Sequence, residues 1–320
     1  MTGVAVVGTH VHWLDDPAAN LEESVFHAAR ATLAAAGHTI EDVDAVVISC
    51  VDQVDGRVIE GMVTSGAAGG VGRDLTVTPS ASEHALVLGH LRLLAGLGRT
   101  VLALAWCKPS EGVDPGHAEV VSAEPFLLRP LGMNLAVAAG LQANAYLARH
   151  GGHPAGAADL PGTADVVCGA VLTTDPGDRP AAWVRGVGWA SDRYELGERD
   201  LSRLAALEIA AGTAYATAGI TDPTTQIDVA EVQRLSRVGL YAACEALGLS
   251  PPGHGFESAG GPVVNPTGED LADAAPAAGF VRLARAAAHA MATPGSTAVG
   301  AALHGFAGQG AAVMVFGGRS

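Results

Sequence analysis

The sequence predicts an α/β fold of two duplicated halves, each a mixed sheet covered by helices. Three observations predict it. Short β-branched runs alternate with Ala-rich helical stretches along all 320 residues. One helix–stop–linker–strand phrase occurs twice. Hydrophobic residues make up 49% and charged residues 16%, which suits a large buried core and excludes long disorder.

The elements follow in order. Val4–Val7 reads as a strand. Leu21–Ala36 reads as a helix, with Asn20 as its N-cap and Gly37 as its stop. Asp44–Cys50 and Thr100–Ala105 are near-continuous apolar runs, as expected of strands buried on both faces. Ser80–Leu97 and Leu131–His150 read as helices, and Asp165–Thr173 as a strand. In the second half Trp183–Trp189, Ile227–Val232, Thr297–Leu303 and Ala311–Phe316 read as strands. Leu204–Ala218, Val238–Leu247 and Val281–Met291 read as helices. The repeated phrase begins at Ala28 (AARATLAAAGHTIEDVDAVVIS) and at Ala210 (AAGTAYATAGITDPTTQIDVAEVQ). It matches Gly37 to Gly219 and Asp44 to Asp228, and implies a duplicated unit. Two sheets sharing a buried helical layer would account for helices that are Ala-rich all round. The expected division is residues 1–178, with an insertion at 107–160, and residues 179–320.

Composition narrows the function classes. With 18 basic and 33 acidic residues the net charge is −15, so a nucleic-acid partner is not expected. Lys108 is the single lysine. Cys50, Cys107, Cys168 and Cys244 are scattered without metal-ligand spacing, and His10, His12, His150 and His153 lack carboxylate or thiol partners, so no metal site is expected. A reducing, cytoplasmic setting is the expectation. The N-terminus has neither the cations nor the apolar run of a signal peptide, and no span long enough to cross a membrane is visible. Gly66–Gly72 (GAAGGVG) has the look of a phosphate-cradling loop, but lacks a following Lys-Ser/Thr and a strand leading into it.

The phrases DVDAVVISCVDQ, VLALAWCKPSEG, IDVAEVQRLSRVGLYAACEALGL, GGPVVNPTGEDLADAAPAAGFVRLAR and ALHGFAGQGAAVMVF, in that order, resemble the thiolase superfamily. The likeness is to the sterol-carrier-protein type and spreads over nearly the whole chain. It implies a five-layered αβαβα fold. It also implies a nucleophilic Cys at a helix N-terminus, an oxyanion-holding His and a second Cys.

At these positions the sequence departs from the family. Ser80 stands for the nucleophile in Ser80-Ala81-Ser82-Glu83, and Gln233 for the Asn or His of the family's Asn/His–Glu/Asp–Ala–Phe motif. Ala275 stands for the oxyanion His after Asn265-Pro266-Thr267-Gly268. His304 stands for the second Cys ahead of Gly308. A hydroxyl is a weaker nucleophile than a thiolate and needs a base in reach, and a lost oxyanion donor alone costs about 10²–10³ in rate. Ordinary thiolysis is therefore not expected.

The resemblance implies instead a non-catalytic acyl-thioester-binding or complex-forming subunit. This would be a homodimer, or a heteromer with an active thiolase or a small OB-fold acyl-CoA-binding protein. The alternative is an acyltransferase or C–C lyase in which Ser80 is acylated with His304 as base and Gln233 assists. Ser80 three residues before Glu83 equally writes a helix capping box. Substrate contacts are expected from Glu83, Cys107, Asn265, Ala275 and Gly308, with His84 and Asp270 as nearby ionisable groups. Coenzyme A would enter as part of the substrate, not as a cofactor. Trp106, Cys107 and Lys108 fall where the family's substrate tunnel is lined, and Arg234 and Arg237 could meet a carboxylate or phosphate.

Overall fold

The computed structural model describes residues 3–79, 81–112, 114–151, 159–255, 261–268 and 276–318. In the first half the strands are β1 (Ala5–Trp13), β2 (Ala45–Ser49), β3 (Asp74–Thr78), β4 (Thr100–Cys107) and β5 (Val166–Thr173). The helices are α1 (Leu21–Ala35), α2 (Asp52–Asp55), α3 (Glu60–Val63), α4 (Glu83–Leu94), α5 (Pro115–Ser122) and α6 (Leu135–His150). In the second half the strands are β6 (Ala182–Ser191), β7 (Val229–Val232), β8 (Val263–Val264), β9 (Ala298–His304) and β10 (Gly310–Gly317). The helices there are α7 (Ala205–Ala218), α8 (Pro223–Gln226), α9 (Arg237–Ala246) and α10 (Ala278–Ala292).

The strand order is β3-β2-β4-β5-β1 followed by β6-β10-β9-β7-β8. Read from its far edge, the second run is β8-β7-β9-β10-β6, the first order repeated five strands later. β1 and β6 touch through two residue pairs, Ala5 with Trp183 and Val6 with Ala182, which hinge the two mixed sheets together. Helices α4 and α10 pack against each other between the sheets, sharing one core with Val47, Val101, Leu172 and Met314. Helix α1 closes a second core on the outer face of the first sheet, and α7 with α9 closes a third on the second sheet. The result is five layers, αβαβα.

The two aspartates of the repeated phrase do the same work. Asp44 takes hydrogen bonds on Oδ2 from the N–H of Thr100 at 2.9 Å and of Arg99 at 2.6 Å. Asp228 takes one on Oδ2 from the N–H of Thr297 at 2.8 Å. Each carboxylate ties the entry of one strand to the start of its parallel neighbour. Gly37 and Gly219 end α1 and α7 with φ of 63° and 74°, the left-handed region that glycine adopts without strain.

Several expectations are corrected. The Ala-rich helices of the repeat are α1 and α7, which lie outside, with Arg30 and Ile209 exposed; the shared layer is α4 and α10. α4 starts at Glu83 rather than at residue 80. α6 starts at Leu135, because the Asn134 side chain accepts from the Val137 N–H at 2.9 Å. β1 and β6 are longer than read. β3 and β8 have no signature in the sequence, because the first is half-exposed and the second is two residues long. Among the described residues no helix is long and apolar enough to cross a membrane.

Candidate active site

The ends of β7 and β9, the segments that follow β2 and β4 and the starts of α4 and α10 open onto a cavity of about 530 Å³. Its walls are mostly apolar, with Val51, Val54, Leu128, Leu196, Leu235 and Phe306 among them. At its base His304 Nδ1 lies 2.7 Å from Glu83 Oε1. The Glu83 side chain is 1% exposed and that of His304 29%, so the carboxylate is sealed and the imidazole faces the cavity.

Backbone placement explains the pair. Glu83 is the first residue of α4, and Gly279, near the start of α10, lies against its other oxygen: a Cβ there would come within 2.5 Å of Oε2. Ser82 Oγ accepts the Phe280 N–H at 3.0 Å, binding the two helix starts together. Two helix N-termini thus direct positive potential at one carboxylate. The contact with Glu83 occupies Nδ1 and leaves Nε2 as the other ring nitrogen. That nitrogen lies over Gly310, where a Cβ would sit 1.9 Å from it. His84 meets the His304 ring edge-on at 5.3 Å, and its pKa is lowered by burial first, against the opposing pull of Glu83.

Gln233 also lines the cavity, with its Oε1 accepting the Leu303 N–H at 2.8 Å, which steadies the strand end that carries His304. The turn 305–309 is held from below by Arg199, which donates to Phe306 O at 2.8 Å and Ala307 O at 2.7 Å. Ala81, at the mouth of α4, has φ 39°, a strained position for a residue with a Cβ.

No protein-family model matches the sequence, and no curated protein matches it significantly. Solved structures match it over nearly all of this chain. A monomeric SCP2-thiolase-like protein type 1 from Mycobacterium smegmatis superposes with TM-score 0.71 at 15% identity, over 100% of this chain and 78% of its own. The Ltp2-ChsH2(DUF35) aldolase gives 0.75 at 14% identity, over 99% and 98%. Human mitochondrial 3-ketoacyl-CoA thiolase gives 0.68 at 16%, over 99% and 99%. The chain has a thiolase-like fold.

On this thiolase-like fold the expected site residues separate. Glu83, Gln233 and His304 come together at the cavity. Ser80, Ala275 and Asp270 lie outside the described residues. Asn265 sits beside β7 with φ 50°; its amide pairs with Val232, accepting on Oδ1 at 2.7 Å and donating from Nδ2 at 3.0 Å, and it is not in the cavity wall. Gly308 is buried in the turn after β9 with φ 65°, packed on Leu204. Cys107 is fully buried, and its thiol reaches Ala164 O at 3.7 Å rather than the cavity. The repeat explains the contrast. Aligning Thr100 with Thr297 places Cys107 opposite His304, but the N-terminal strand end is covered and the C-terminal one is open.

Trp106 and Lys108 are likewise buried and away from the cavity. Trp106 Nε1 donates to Glu60 Oε1 at 2.7 Å, and Lys108 Nζ to Pro17 O at 2.6 Å. Burial raises the Cys50 thiol to about 12 and drives those of Cys107 and Cys168 upward, so these are inert thiols. None of the four cysteines lines the cavity. Tyr194, Arg199 and Gly310 are the contributors that sequence reasoning missed. Arg199 acts on a turn 107 positions along the chain, Tyr194 reaches the cavity only through the fold, and Gly310 pairs with His304 across β9 and β10.

Proposed function

We propose that this chain binds an acyl thioester in the cavity and performs acid–base chemistry on it without a thiolate, as a C–C lyase. The observation that carries the reading is the His304–Glu83 pair at 2.7 Å, a solvent-facing imidazole oriented by a sealed carboxylate. The aldolase among the similar structures supports the same reaction class. For a β-hydroxyacyl thioester the balance is simple. His304 takes the hydroxyl proton, the carbonyl forms at the β-carbon and the Cα–Cβ bond breaks. The electron pair passes into the thioester enolate, whose α-carbon then takes the proton back.

That aldolase carries a DUF35 chain in its name, which supports a heteromer with a small acyl-CoA-binding partner; a homodimer is the other arrangement, and the boundary at 178/179 belongs to this reading. The non-catalytic subunit is supported by a separate observation, the absence of any thiol from the cavity wall among the described residues. Incubation with β-hydroxyacyl-CoAs, following aldehyde or ketone release, separates the two. Turnover that disappears in His304→Ala and falls roughly 10²-fold in Glu83→Gln establishes the lyase, a loss in the range for a general base and its orientation. No turnover, with co-purification of a partner, establishes the subunit. A stable acyl adduct by intact mass, lost in Ser80→Ala, would assign the chemistry to Ser80 as acyltransferase nucleophile instead.

A further inference from the structure

We infer that a second site, on the outer face of the first half, takes a small amphipathic anion, a carboxylate or phosphate monoester carried on an apolar body. A groove of about 560 Å³ runs between α1 and the loop ahead of β3, and shares no lining residue with the His304 cavity. Phe26, Leu33, Ile40 and Val71 make its apolar walls, while Arg30, Arg73 and His38 are its ionisable lining. No Asp or Glu lines it, in a chain where acidic residues outnumber basic ones 33 to 18. The lining itself is thus purely cationic, with Glu41 reaching Arg73 and Asp42 facing His38 from just outside it, which leaves Arg30 as the cation open to an anion there.

The three basic side chains have different parts. Arg73 is structural: it donates from Nε to Val43 O at 3.1 Å and from one terminal nitrogen to Val71 O at 3.1 Å. Its contact with Glu41 is 3.6 Å long, to a carboxylate that is 84% exposed. These bonds explain the glycine-rich stretch. The loop turns carbonyls toward Arg73 instead of a ring of N–H groups toward a phosphate. Gly69, at φ 86°, lets it close on Ile40, where a Cβ would come within 2.5 Å of Cδ1.

Arg30 is uncommitted. Its guanidinium lies 5.7 Å from the centroid of the Phe26 ring, and no hydrogen bond or ion pair holds it among the described residues. His38 is bound on Nδ1 to Ala36 O at 2.8 Å, and Nε2 has no partner among the described residues. An exposed guanidinium stacked on an aromatic ring, beside a fixed imidazole and above an apolar trough, matches a ligand with a charged head and a hydrocarbon tail.

The test is isothermal titration at low ionic strength with octanoate, octyl phosphate and octanol. The proteins are the wild type, Arg30→Gln, Ala34→Trp and His304→Ala. Both substituted groove positions are exposed on α1, so folding is preserved. The expected result is binding of one or both anions, with octanol much weaker and salt weakening the anions. His304→Ala keeps that binding, Arg30→Gln weakens it roughly tenfold, the loss of one charge-assisted contact, and Ala34→Trp abolishes it. The tighter of octanoate and octyl phosphate identifies the head group. The inference is overturned by failure of both anions to bind, by octanol binding as tightly as either, or by binding that survives both groove substitutions.

Discussion

At Gly310 one hydrogen atom decides where the His304 ring can lie. A methyl group there would stand 1.9 Å from Nε2, so Gly310→Ala must swing the imidazole away from Glu83. The expected outcome is a loss of roughly 10² in turnover, the usual cost of misplacing a reacting group by about 1 Å. It should come with a changed His304 imidazole signal by NMR and an unaltered fold. An unchanged signal would show that the glycine is incidental.

Glu60 supplies a second prediction at this scale. Its carboxyl is raised to about 9 by burial first and by Asp55 beside it. An acid whose folded pKa lies above its unfolded value holds its proton in the fold, while the unfolded chain releases it above about pH 4.5. Stability therefore falls as pH rises from about 4.5 toward 9. Glu60→Gln keeps an oxygen for the Trp106 N–H and removes the titration. Its melting temperature should exceed the wild type's at pH 8 and approach it at pH 4.5. Equal differences at both pH values would contradict this.

At the scale of elements, α10 is bolted to β7 by a sealed ion pair. Arg282 and Glu231 side chains are 0% and 1% exposed and 2.7 Å apart. Thr267 donates to Glu231 Oε1 at 2.8 Å and Arg282 to Gly268 O at 3.1 Å, so the same pair fixes the loop that follows β8. Removing one partner leaves a buried charge unmatched. Arg282→Met should cost about 3–5 kcal/mol in urea unfolding. The double variant with Glu231→Gln should recover much of it, because the stranded carboxylate is then gone. If the two single losses simply add, the pair is not coupled.

For the whole molecule the consequence of the repeat is mechanical equivalence. Asp44 and Asp228 make matching strand-entry bonds in different sheets and share no partner. Asp44→Ala and Asp228→Ala should each destabilise by about 1–3 kcal/mol, and the double variant should show their sum within about 0.5 kcal/mol. Markedly different single losses would mean that the halves have diverged in how they hold their strands.

Most long elements were legible because burial on both faces writes unbroken apolar runs, as in Ala45–Ser49 and Val166–Thr173. Strands β3 and β8 were not, since an edge position or two residues leave no periodicity. Of the site, His304, Gln233 and Glu83 could each be pointed to, but the bond between the first and the last joins residues 221 positions apart. Cys107 and Asn265 enter the same set by resemblance alone. Burial removes the first from the cavity, and a backbone-pairing amide accounts for the second.

By itself, then, the sequence determined the doubled α/β order, the helix stops at Gly37 and Gly219, the acidic charge balance and the thiolase-like resemblance. All of these are local or cumulative properties that do not depend on which distant residues touch. Tertiary structure alone decided that Glu83 is the partner of His304, that Arg199 holds the turn that follows β9, and that Arg30 stands above an apolar groove. Each of those depends on the packing of helix starts, strand ends and loops from separate parts of the chain, and proximity of that kind has no signature in linear spacing.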